Sequence, residues 1–60
     1  MTQEQFARLL EQDLRNRFAR FNLADLLRFV ADVWPVAQAD PDVEHWVREF
    51  IDRGGADLLA

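Results

Sequence analysis

Apolar residues recur every three or four positions through three segments of this 60-residue chain, and no other feature constrains its fold as strongly. A repeat near 3.6 residues is the pattern of an α-helix that buries one face. The spacing therefore predicts an all-α fold. We expect one compact three-helix domain over residues 1–60, with helices at 2–21, 23–34 and 41–53 and a short C-terminal tail.

The first predicted helix starts with a capping signal and carries one apolar face. Thr2 and Gln5 have the spacing of a capping box, in which each side chain bonds the other residue's backbone amide. The apolar face consists of Phe6, Leu10, Leu14, Phe18 and Phe21, with Leu9 at its margin. Acidic residues precede basic ones by four positions, a stabilising order, in the pairs Glu4–Arg8, Glu11–Arg15 and Asp13–Arg17.

The boundary between the first two helices rests on one residue. Asn22 has the side chain of an N-cap and is followed by Asp25 in the first turn. This favours a corner, but no glycine or proline enforces it. A continuous helix as far as Trp34 therefore stays open as an alternative.

The second predicted helix is apolar around an unusually wide arc. We expect it to end before Pro35, because proline disfavours the helical conformation of the preceding residue. Its apolar positions cover roughly 200° of the helix, more than one neighbouring helix can cover. The surplus edge consists of Phe29, Val33 and Trp34. It is either intrachain core, covered by the 35–40 connection or by Leu58 and Leu59, or an interface between chains.

The third predicted helix has the clearest ends. Asp40 is expected to be its N-cap and Pro41 its first residue, while Arg53 and the Gly54-Gly55 pair end it. Its apolar positions follow helical spacing, at Val43, Trp46, Val47, Phe50 and Ile51. Its other side is an acidic face, formed by Asp42, Glu44, Glu49 and Asp52.

Composition argues against catalysis. The chain has no Cys, Ser, Tyr or Lys, its only threonine is Thr2 and its only histidine is His45. Almost every side chain used for covalent catalysis is therefore missing, and we expect no enzyme, no catalytic residue and no cofactor. Asp42, His45 and Glu49 could bind a metal in principle, but their spacing matches no metal motif, so a solvated polar face is expected.

Charge is uneven along the chain. Residues 1–28 hold five Arg and four acids, a net of +1, whereas residues 29–60 hold two Arg and seven acids, a net of −5, which sum to −4. An acidic chain is a poor general binder of nucleic acid, because phosphate contact needs a basic face. Arg17 projects within the apolar face of the first helix. Either its head reaches Asp13 or solvent, or it forms an ion pair across a subunit interface.

The sequence also predicts a location. No stretch approaches the roughly 20 apolar residues of a membrane span. Acidic residues among the first apolar positions, such as Glu4 and Glu11, argue against a signal peptide. We expect a cytoplasmic protein without a membrane partner.

These observations favour a small non-enzymatic protein–protein interaction module: an adaptor, an assembly factor or a regulatory subunit. We expect it to bind itself, as a homodimer formed through helix two, and another protein. The candidate interface residues are Phe29, Val33, Trp34, Arg17, Leu58 and Leu59.

Two alternatives stay open. One is an acidic inhibitor of the mobile-element type, which would use the acidic face to block a basic surface on a host protein. The other is a small DNA-binding regulator or antitoxin, which would require the arginines of residues 8–28 to converge in space.

Overall fold

A computed structural model describes residues 1–55 and has three helices in this range and no strand. They are α1 (Gln3–Arg17), α2 (Leu23–Ala37) and α3 (Val43–Asp52). The radius of gyration is 10.5 Å, close to the roughly 10.4 Å expected of a compact domain of 60 residues. The prediction of a compact all-α fold with three helices is confirmed.

The first corner of the fold lies between α1 and α2. The Thr2–Gln5 capping box forms at the start of α1, as predicted, but the helix ends at Arg17, four residues before the expected end. Phe18 is extended, and with Phe21 it packs against the core from the connection. Asn22 caps α2 by accepting a hydrogen bond from the Asp25 backbone amide at 3.2 Å. Two separate helices are therefore confirmed, and the continuous helix is excluded.

The second helix continues through Pro35 to Ala37, so the predicted end at Trp34 was wrong. Proline cannot donate to the carbonyl group four residues earlier. Here that carbonyl belongs to Ala31, which is exposed, so water can donate the missing hydrogen bond. The amide of Gln38 donates to the carbonyl oxygen of Trp34 at 3.0 Å and closes the last turn. The added turn brings Ala37 into the core.

The third helix begins two residues later than predicted, at Val43. Asp42, and not Asp40, is the N-cap, and its side chain accepts from the His45 amide at 3.3 Å. Asp40 has a different role, because its carbonyl oxygen accepts a hydrogen bond from the Trp46 indole Nε1 at 2.9 Å. The connection is thereby held against α3, and Pro41 stays outside the helix.

The predicted end of α3 is confirmed in detail. Gly54 has a φ of 77°, a left-handed conformation that favours glycine. The amide of Gly54 donates to the Ile51 carbonyl, and the amide of Gly55 donates to the Phe50 carbonyl. These two bonds form a Schellman motif.

The core lies between the three helices and is rich in aromatic side chains. Phe6 of α1 contacts Trp34 of α2 and Trp46 of α3, with ring centroids 5.6 and 6.5 Å apart. Phe29 of α2 contacts Trp46 at 6.4 Å and Phe50 at 5.4 Å. The buried core residues are Phe6, Leu10, Leu14, Leu26, Phe29, Val30, Val33, Ala37, Trp46, Val47 and Phe50.

Candidate interaction surfaces

The surplus edge expected on helix two lies mostly inside the chain. Phe29 and Val33 are only 6% and 5% exposed. The Phe29 ring is covered by Trp46 and Phe50, and the Arg53 guanidinium lies over it at 5.1 Å. The interpretation of Phe29 and Val33 as an exposed edge is therefore corrected, because α3 covers this side of α2. Dimerisation itself stays a prediction, and Leu58 and Leu59 lie outside the described residues.

Trp34, the third member of that edge, differs from the other two. It is half-buried, and its ring packs against Phe6. Its indole N–H has no acceptor among residues 1–55, whereas the indole of Trp46 donates to Asp40. Trp34 therefore offers a partly exposed ring and a hydrogen-bond donor that residues 1–55 leave unused.

The apolar side chains that α2 leaves in solvent are different from those expected. Leu23 is 40% exposed, Leu27 is 51% exposed, and Ala31 is also exposed. At 100° per residue, these three and Trp34 occupy an arc of about 80° that contains no other residue of the helix. We call Leu23, Leu27, Ala31 and Trp34 the α2 strip. It belongs to the 200° apolar arc, but only the positions of α1 and α3 show that this part stays uncovered.

The charges of α2 beside the α2 strip are compensated within the chain. Arg28 lies 4.0 Å from Asp25, and Asp32 lies 3.2 Å from Arg53 of α3. The strip is therefore an uncharged surface on a helix whose charged side chains already have partners of opposite sign.

Arg17 contacts acidic residues of its own chain. Its Nε lies 3.1 Å from Asp13, and a terminal nitrogen lies 3.9 Å from Glu44 of α3. The interpretation in which the head reaches Asp13 is confirmed, and no second subunit is needed to explain the residue. The Arg17–Glu44 contact joins the end of α1 to α3 within one chain.

The other two arginines of α1 also face carboxylates. Arg8 lies 2.8 Å from Glu4 and Arg15 lies 3.6 Å from Glu11, as the i,i+4 spacing predicted. Arg15 also lies over the Phe21 ring at 5.3 Å. These side chains pair along the helix and do not add up to a basic stripe.

The acidic face of α3 is partly used by the fold. Asp42 caps the helix, while Glu44 lies 3.1 Å from Arg48 and near Arg17. Glu49 and Asp52 have no ion pair within the described part of the chain. They are the members of the predicted recognition face whose charge is not locally compensated.

His45 and its neighbours form a capped helix start. Asp42 accepts from the His45 backbone amide, and the imidazole ring lies edge-on to Trp46 with centroids 5.0 Å apart. Within residues 1–55, no group of three or more acidic or histidine side chains is arranged to hold a metal ion.

Two shallow grooves flank α3. One, of about 350 Å³, lies between α1 and α3 and contains the Arg17–Glu44 pair. The other, of about 420 Å³, lies between α2 and the end of α3 and contains the Arg53–Asp32 pair. In both grooves, the polar groups at the crossing bind each other and tie α3 to its neighbours.

The chain matches no protein-family model, no curated protein and no solved structure. None of the helices in the described range is long and apolar enough to cross a membrane. A functional assignment therefore depends on the surfaces described above.

Proposed function

We propose that this chain is a small protein–protein interaction module, of the adaptor, assembly-factor or regulatory-subunit kind, which binds through the α2 strip. The observation that carries the proposal is the exposure of Leu23 and Leu27 in an uncharged arc. The adjoining side of the same helix supplies five core residues, so the apolar arc of α2 is wider than the part that the fold buries. Within residues 1–55, the strip is the part of this arc that stays in solvent.

The composition of the strip suits recognition. Exposed apolar side chains become energetically useful when a partner removes them from water, and tryptophan is common among the residues that dominate binding energy. Trp34 adds a hydrogen-bond donor that the described residues leave unused. A partner that covers the two leucines with apolar side chains would remove them from water, and an acceptor beside Trp34 would add a hydrogen bond.

A matched pair of variants on the same helix tests this proposal. Leu27→Asp places a charge in the strip, whereas Val36→Asp places the same charge at a position that is 62% exposed and about 180° around the helix. Tagged chains would capture partners from extracts of the cells that encode the protein, with identification by mass spectrometry. Circular dichroism would first establish that both variants fold.

We expect specific partners to be retained by wild type and Val36→Asp and lost with Leu27→Asp. Partners captured equally by all three chains would refute binding through the strip. An aspartate at Leu27 is informative because the side chain is already half exposed, so a folded variant is expected.

A second candidate function has its own observation. Glu49 and Asp52 carry charge without an ion pair in the described residues, which is consistent with an acidic inhibitor that covers a basic surface. Such binding would weaken steeply as salt rises, because exposed charges are screened. The double variant Glu49→Gln/Asp52→Asn should then lose binding while Leu27→Asp retains it. The pairing of Arg8, Arg15 and Arg17 gives the DNA-binding alternative no comparable support.

A further inference from the structure

We propose that the occupant of the α2 strip is a second copy of this chain, with the two α2 helices antiparallel about a two-fold axis. This inference rests on the proposed function, because it names the partner of the same surface. Charge, shape and area support it.

Charge favours a self-complementary contact. A two-fold axis sets each surface against itself, so any net charge in the contact opposes an equal charge. The strip has no charged residue, and neighbouring Arg28 and Asp25 compensate each other. The uncompensated acids Glu49 and Asp52 belong to α3.

The two uncharged strips can also meet while the α3 helices of the two copies stay apart. Leu27 lies about 160° around α2 from Phe29. Phe29 is the residue of α2 that contacts the rings of α3. A contact centred on Leu27 therefore keeps the acidic faces of the two copies away from each other. A strongly charged partner would find no complementary charge on the strip.

Shape favours the antiparallel orientation. Along α2 the strip reads Leu23, Leu27, Ala31 and Trp34, a sequence of large, large, small and large. An antiparallel pair sets Leu27 of one copy against Ala31 of the other and Leu23 beside Trp34. A parallel pair would face Ala31 with Ala31 and leave a gap between bulky layers, whereas packed layers alternate large and small residues. The opposed helix dipoles add to the preference.

Area makes Leu27 decisive. A stable interface buries about 800 Å² on each partner, about a fifth of the 4067 Å² surface of this chain. Four side chains do not supply this area alone, so flanking residues complete the contact around the strip, with Leu27 the more exposed of its two leucines. A single charge at Leu27 should abolish the dimer, because binding energy concentrates at the centre of an interface.

Sedimentation of the purified chain tests self-association. Between about 10 μM and 1 mM, a range that captures weak dissociation constants, we expect the mass to rise from 7.0 kDa towards about twice that value. Leu27→Asp should stay monomeric throughout, and Val36→Asp should dimerise like wild type. Wild type that stays monomeric at the highest concentration, or Leu27→Asp that dimerises normally, overturns the proposal.

Disulfide trapping tests the orientation, and the chain has no cysteine to interfere. Chains carrying Leu27→Cys would be mixed with chains carrying Ala31→Cys and oxidised with glutathione disulfide. Because a disulfide needs Cβ atoms about 4 Å apart, the antiparallel pair should yield the mixed 27–31 product above the statistical share. Predominant 27–27 and 31–31 products would overturn the orientation. Val36→Cys serves as the control and should not cross-link.

The two proposals fail in different ways. A chain that stays monomeric but captures a partner lost with Leu27→Asp refutes the second copy and supports the interaction module. If Leu27→Asp loses neither self-association nor partner capture, both proposals are refuted, because the strip then takes no part in binding.

Discussion

Replacing Phe29 by alanine separates the two interpretations that the sequence allowed for this residue. The side chain is 6% exposed and touches two aromatic rings of α3. Truncation of a buried phenylalanine costs about 3–5 kcal/mol. A domain of this length has a total stability of roughly 3–9 kcal/mol, at about 0.05–0.15 kcal/mol per residue. Phe29→Ala should therefore remove between about a third of the folding free energy and all of it.

Leu27→Ala is the matched control, two residues away on the same helix. Leu27 is 51% exposed, so truncation removes about 1 kcal/mol or less of burial. Urea unfolding followed by far-ultraviolet circular dichroism, at low micromolar concentration, would measure both losses. Tryptophan fluorescence is a useful second probe because Trp46 contacts Phe29 directly.

Equal and small losses for the two variants would refute the structural reasoning. Phe29 would then not be covered by α3, which fits the interpretation that places it at an interface between chains. A large loss for Phe29→Ala alone would also mean that any binding defect of that variant reports unfolding. Leu27→Asp is for this reason the sharper probe of association.

Three further predictions concern the ends of the helices and can be checked by the same urea titrations. Pro35→Ala should stabilise the chain by about 1–2 kcal/mol. The change restores a backbone hydrogen bond to the Ala31 carbonyl and removes a ring clash, and these gains exceed the cost of a more flexible unfolded chain. Unchanged or lower stability would contradict this. Trp46→Phe keeps an aromatic ring but loses the bond to the Asp40 carbonyl, so we expect a loss of about 1–2 kcal/mol. We also expect faster exchange of the Gln38, Ala39 and Asp40 amides, with unchanged protection the opposing result. Asn22→Ala should cost about 1 kcal/mol and Asn22→Asp little, and equal stabilities would argue against the cap.

The sequence predicted best those features that depend on neighbours within five positions. The Thr2 capping box, the Asn22 cap and the glycine end of α3 all form as expected. The two caps join a side chain to a backbone amide three positions away, and the glycine end joins backbone groups three and five positions apart. Local spacing is therefore enough to identify each of them.

The errors at helix ends arose where a distant contact competed with a local signal. Asp40-Pro41 resembles a helix start, but the Trp46 indole binds the Asp40 carbonyl and Asp42 caps instead. Pro35 resembles a stop, but burial of Ala37 in the core favours another turn. In both cases, the deciding partner lies outside the sequence window that defines the signal.

The sequence determined that α2 has more apolar surface than one neighbour can cover, because helical periodicity sets the angular positions of its side chains. Only the tertiary structure decided which part is covered. Packing of α3 buries Phe29 under Phe50, and the Arg53–Asp32 pair joins residues 21 positions apart. Leu23 and Leu27 are left in solvent as a result. The surface that α2 offers to a partner is thus set by where α1 and α3 lie, since burial depends on contacts between residues far apart in the chain.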